Sequence, residues 1–182
     1  VRPDRTGAVN AKGLAFYDRL ADALLARGIE PLCTLFRWDF PQALEDRFGG
    51  WTSRHVSQAL ADDAGVVARR LSDLVHHFFT TNEFVCFIDQ GYGSGIQGAR
   101  EAPARGGGRR HGHYALLGDG LAVQAVRAAA RPGVRVGLAE NSNICVPVIE
   151  TPEHIRAAQQ AMRSALPGSS NRAPIRGWRR TG

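Results

Sequence analysis

With 182 residues, the chain is long enough for one globular domain with a real core, and short of the roughly 250 residues of a complete eight-stranded α/β barrel. Hydrophobic residues at 43% and charged residues at 22% describe an ordinary globular protein, and no apolar run nears the ~20 residues needed to cross a bilayer, so no membrane partner is expected. The net charge of +6 is concentrated in 100–135 and in 163–182, and without a basic helix bearing interleaved aromatics no nucleic-acid partner is expected.

Residues 1–10, VRPDRTGAVN, read as a loop without a signal-peptide pattern, so a cytoplasmic location is expected, and Asn10 is placed to cap the next element. From Lys12 to Arg27 the apolar residues Leu14, Tyr17, Leu20, Leu24 and Leu25 recur at helical spacing, and Gly28 supplies the stop. Ile29 to Phe36 reads as a buried strand, with Pro31 near its start where a missing N–H does least harm. It ends abruptly in Arg37-Trp38-Asp39. A short helix is expected over Pro41 to Phe48, then a turn at Gly49-Gly50-Trp51. A longer helix, capped near Ser53, runs to about Leu71 with Val56, Leu60, Ala64 and Val67 on one face.

Val75 to Glu83, VHHFFTTNE, is the central stretch. Bulky and β-branched residues give way to polar ones and a carboxylate, which is a strand carrying chemistry at its C-terminal end. In a barrel of parallel strands the active site lies at that end, so Glu83 is the first candidate catalytic residue. Beyond it, Phe84 to Gly91 reads as a short helix, Tyr92 to Arg110 as a Gly-rich loop, His113 to Ala130 as a helix and Val134 to Glu140 as a strand. Thr151-Pro152-Glu153 opens a last helix that runs to about Leu166. Strands and helices alternating at this spacing predict an α/β fold with a parallel sheet. The expected domain is 1–166; residues 167–182, without periodicity or an acidic residue, are expected to form a disordered basic tail.

Other features read as structural. Cys33, Cys86 and Cys145 stand far apart and predict free thiols rather than metal ligands. His76 and His77 point to opposite faces of one strand and cannot share a metal, so none is expected. The glycines at 91–93 and 106–108 lack the spacing of a phosphate loop.

The series VNAKGLAFYDRLADALLARGIEPLCTLFRWDFPQAL, then GGW, TTNEF and GYGSG, closely resembles family 1 glycoside hydrolases, the β-glucosidase family, from about Gly7 to Arg163. The resemblance implies a partial (β/α)8 TIM barrel of about three central strands with their helices. It also implies retaining hydrolysis of a β-glucoside or cello-oligosaccharide substrate, and no cofactor. Glu83 stands where the family has its acid/base glutamate, Asn82 where an asparagine binds the sugar 2-hydroxyl, and Trp38 where a tryptophan lines the glycone site. Arg37 replaces a histidine and Phe84 a proline. The resemblance further implies a barrel cut short on both sides, because the nucleophile's Thr-Glu-Asn-Gly motif has no counterpart among these residues.

Retaining hydrolysis needs two carboxyl groups about 5–5.5 Å apart, one to protonate the leaving oxygen and one to attack the anomeric carbon. Glu83 suits the first task. Glu140, followed by Asn141 at the end of the next predicted strand, is the candidate for the second, as nucleophile or as base for water. The alternative is a catalytically inactive half-barrel that covers its open sheet edges by forming a homo-oligomer and at most binds sugar weakly.

Overall fold

The computed structural model describes residues 7–93, 107–141 and 144–165. The chain divides into two compact units, Val1–Asn141 and Ser142–Gly182. The boundary expected at 166/167 and the tail beyond it lie outside the described residues.

In the first unit, α1 (Ala11–Leu25) starts where the Asn10 side chain accepts a hydrogen bond from Gly13 N–H at 3.0 Å, satisfying one of the free amides of the first turn. β1 (Leu32–Phe36) follows, then α2 (Gln42–Phe48), a 3-10 turn at Gly50–Thr52, and α3 (Arg54–Leu71), capped by the Ser53 hydroxyl on His55 N–H. β2 (His77–Asn82) leads into a π-helical segment, Val85–Gly93, and α4 (Gly107–Ala129) leads into β3 (Arg135–Ala139). α4 begins within the stretch expected to be a Gly-rich loop. Propensity misleads there because the helix start is fixed by tertiary packing: the His111 ring is buried and stacks on Tyr92 with centroids 4.0 Å apart.

The strands form one parallel sheet in the order β1-β2-β3, with α3 and α4 as the crossovers that parallel strands require. Cys33 pairs with Phe78 and Phe78 with Val136, which sets one face; Thr34, Phe79 and Gly137 mark the other. The face with Phe78 is covered by helices. On the opposite face Leu32 remains 60% exposed, and the outer edges of β1 and β3 have no strand beside them among the described residues.

Between Phe79 and Asn82 the β2–β3 register slips, so that Phe79 pairs with Gly137 and Asn82 with Ala139. Three steps on β2 match two on β3, which is a bulge. Side chains otherwise alternate, so the slip turns Asn82 onto the face of Phe79. Thr80 and Thr81 are both buried, and the Thr80 hydroxyl donates to Asp119 on α4 and lies 3.2 Å from the Gly137 carbonyl. Burial pushes the Asp119 carboxyl above its ordinary range, against the lowering effect of the Thr80 hydroxyl.

The helix layer packs through small residues. Ala64, Ala68, Ala115 and Ala122 are fully buried, and at Gly118 an added Cβ would lie 3.3 Å from the Ser57 Cα and 3.2 Å from the Trp51 ring. Gly118→Ala is therefore expected to lower the melting temperature: overpacking against backbone costs about 1–3 kcal/mol, more than the ~1 kcal/mol that alanine gains in a helix. Gly120→Ala, two residues on, meets nothing within 4 Å and is expected to raise it. Thermal unfolding of the two variants should shift in opposite directions, and shifts of equal sign would refute this account of the interface.

At the C-terminal ends of β1 and β2 lies an aromatic cluster. Phe36 meets Phe87 at 5.0 Å, Trp51 at 5.4 Å and Phe40 at 6.4 Å between centroids. The second unit contains α5 (Pro152–Ala165), which opens with Thr151 Oγ1 accepting from His154 N–H. No described helix is long and apolar enough to cross a membrane.

Candidate active site

The site begins where β1 and β2 stop. Trp38, two residues past β1, has φ +64°, and Glu83, one residue past β2, has φ +52°. Among the described residues these are the two non-glycine positions in the left-handed region, which is strained for side chains of this size. At Trp38 the Asp39 N–H donates to the Arg37 carbonyl at 2.7 Å, closing the rarer and more strained kind of γ-turn. The indole N–H of Trp38 then donates to the Asn82 carbonyl at 3.1 Å, which ties the two strand ends together.

Glu83 is held from both sides. Its N–H donates to the Ala139 carbonyl at 2.8 Å, its carbonyl accepts from Cys86 N–H at 3.0 Å, and its Oε2 accepts from the Cys86 thiol at 3.1 Å. Phe84 N–H donates to Glu140 Oε2 at 3.0 Å. Phe84 is buried, as are Cys86, Phe87 and Ile88 of the following π segment, which is pinned at its far end by Tyr92, whose hydroxyl donates to Glu45 Oε2 at 2.9 Å and accepts from the Trp51 backbone N–H at 3.3 Å. Such wide turns recur at functional sites, and this one fixes the direction in which the chain leaves Glu83.

Asn82 is half-buried, and its side-chain Nδ2 is buried without a hydrogen-bond partner among the described residues. A donor so placed is costly to leave unmade and suits a ligand oxygen. Trp38 is 37% exposed, with the Arg37 guanidinium 5.7 Å from its ring centroid. Arg37 and Asp39 also line a groove of about 360 Å³ that runs along β1 past Tyr17, Cys33 and Asp63. That groove belongs to the open edge of β1, and Glu83 does not line it.

The structure thus gathers Trp38, Asn82, Glu83 and Glu140 at one end of the sheet, with Arg37 beside Trp38. Among the described residues no group of three His, Cys, Asp or Glu side chains could hold a metal ion. His77 Nδ1 lies 3.0 Å from Glu30 Oε1, and His76 is exposed. Cys86 is the residue that the sequence reading leaves among the inert thiols. Its position three residues after Glu83, on the first turn leaving the strand, is the signal that points to contact.

The sequence model of Glycosyl hydrolase family 1 matches residues 1–167. The chain belongs to this family. Family 1 relatives include beta-glucosidase 1B of Phanerodontia chrysosporium, 36% identical over 178 residues, which is 89% of this chain and 32% of that protein. The bifunctional beta-D-glucosidase/beta-D-fucosidase of Bifidobacterium breve is 42% identical over 153 residues, 80% of this chain and 32% of that protein. Among solved structures, virulence factor SghA from Agrobacterium tumefaciens is 36% identical with a TM-score of 0.81, covering 90% of this chain and 36% of its own. The rice Os3BGlu6 beta-glucosidase is 32% identical with a TM-score of 0.84, covering 90% of this chain and 37% of its own. The chain therefore spans about a third of the length of these family 1 proteins, and its three parallel strands with their helices are a partial α/β barrel.

Proposed function

We propose that this family 1 chain is a β-glucosidase-like hydrolase that cleaves β-glucosidic bonds, including those of cello-oligosaccharides, by retaining-type acid/base chemistry with Glu83 as proton donor. The observation that carries the proposal is the strained turn at the end of the central strand, which presents Glu83 beside the Asn82 side-chain Nδ2, unpartnered among the described residues, and an indole locked to the same residue. Asn82 would donate to a sugar hydroxyl, Trp38 would pack on the apolar face of the ring, and Arg37 would contact a neighbouring hydroxyl. Glu83 would give its proton to the leaving oxygen as the glycosidic bond breaks and a second carboxylate bonds to the anomeric carbon; water, giving a proton back to Glu83, would then displace that carboxylate and release the sugar with its configuration retained. The reading of Glu140 as nucleophile or base does not by itself account for its Oε2, which accepts the Phe84 N–H at 3.0 Å. The test is release of a chromogenic aglycone from a β-glucoside by purified chain, with Glu83→Gln alongside; no difference between them would sink the proposal.

A second reading has its own support. Leu32, Phe16 and Tyr17 are more than half exposed, and both outer strands offer unpaired edges among the described residues. An assembly of identical chains would cover such surfaces. Sedimentation or light scattering is expected to give at least twice the 19.7 kDa mass of one chain, and a monodisperse monomer at micromolar concentration would reject this reading.

A further inference from the structure

The conformation of Glu83 has to be maintained by its surroundings, since a left-handed non-glycine residue at a strand end is unfavourable by itself. Two side chains supply that restraint. Glu140, just past β3, takes the N–H of Phe84, the peptide group immediately after the turn. Cys86 returns its thiol to Glu83 Oε2. We infer that Glu140 and Cys86 are positioning residues for Glu83: Glu140 keeps the turn by binding Phe84 N–H, and Cys86 occupies Oε2 so that Oε1 is the oxygen left for a substrate.

The chemistry of each group fits its part. A carboxyl terminus has a broad torsional minimum, so a donor on one oxygen removes freedom that backbone restraints leave untouched. The Cys86 thiol is a suitable donor because it stays protonated. Burial, then the hydrogen bond and charge of Glu83, then the charge of Glu140 push it up to about 11, against a lowering contribution from Asn141. Among the described residues, Glu83, Glu140 and Asn141 are the groups that act on it. Glu140 acts as an acceptor, and an acceptor can be replaced by an amide oxygen, whereas a nucleophile cannot.

The inference rests on the reading of Glu83 as proton donor, and its test separates the two. In the full chain labelled with ¹³C at cysteine Cβ, Glu83→Gln is expected to raise the Cys86 thiolate fraction at pH 10 by roughly threefold to tenfold, one pKa unit being tenfold. Cys33, whose thiol is raised to about 11 by burial alone, should not respond. An unchanged Cys86 would overturn its role. Amide exchange at Phe84 should accelerate at least about tenfold in Glu140→Ala while the core amide of Leu60 keeps its rate; equal rates at Phe84 would overturn the role of Glu140. In turnover, Cys86→Ala and Glu140→Ala should lower kcat by roughly threefold to tenfold at constant KM, the worth of one hydrogen bond. Cys86→Ser should restore most of the loss, and Glu140→Gln should lose less than Glu140→Ala. Equal and complete loss in both Glu140 variants would overturn the inference in favour of a nucleophile. A wild-type rate at the blank would remove the proton-donor reading, and the two spectroscopic arms would still decide the positioning.

Discussion

Glu83→Gln is expected to lower the β-glucosidase rate of the purified chain by about 10²- to 10⁴-fold, the range that a positioned general acid supplies. Glutamine keeps the size of the side chain and an oxygen for the Cys86 thiol, so the turn at φ +52° and the bond to Ala139 have no reason to change. What it lacks is a proton to give. The loss should therefore depend on the leaving group. A dinitrophenolate departs with little need of protonation, so its glucoside should suffer far less than an alkyl glucoside, whose alkoxide cannot leave unassisted. A uniform loss across leaving groups would mean that the substitution damages binding or folding. A wild-type rate at the level of a blank preparation would leave the self-associating half-barrel as the better reading.

The parts of this structure that are legible in the sequence are the ones with local causes. The apolar spacing of α1 and α3 and the caps at Asn10 and Ser53 depend on residues within a turn or two of each other, and the expected helices coincide with the observed ones to within a residue or two. Strand ends are set by pairing, which is not local. The expected strands from Ile29 and Val75 begin instead at Leu32 and His77, where the three strands come into register at Leu32, His77 and Arg135. The bulge at Thr80–Thr81 is likewise a property of β2 against β3, and no feature of TTNE by itself announces it.

The site divides in the same way. The identities of Trp38, Asn82 and Glu83 can be read from motifs, and their proximity follows from parallel strands ending on one side. Their left-handed backbones cannot be read, since neither Trp38 nor Glu83 is a glycine or asparagine. The backbone role of Glu140 is hidden for a related reason: it depends on which oxygen meets which N–H. A carboxylate at a strand end looks the same in sequence whether it attacks a substrate or holds a peptide group.

Phe36→Ala is expected to cost about 3–5 kcal/mol, the range for removing a ring from a core that cannot collapse around the gap. Phe36 is 1% exposed and is met edge-on by Phe40, Trp51 and Phe87, which come from three different segments. Two of the three neighbours are themselves held: Trp51 by its backbone N–H on Tyr92, Phe87 by the π segment it belongs to. Neither of these two can move in to fill the space without breaking something else. For a chain of this length the loss corresponds to a fall in melting temperature of about 10 °C, whereas Leu116→Ala, at an exposed position on α4, should change stability by no more than about 0.5 kcal/mol. The ring also lies under the site. It is the last residue before Arg37-Trp38, and Phe87 is four residues beyond Glu83, so the cavity would loosen both turns that give the site its shape. Phe36→Ala should then lose sugar binding at temperatures well below its own unfolding. If binding and global stability instead fell together, the cluster would be ordinary core, and the rigidity of the two turns would have to come from their hydrogen bonds alone.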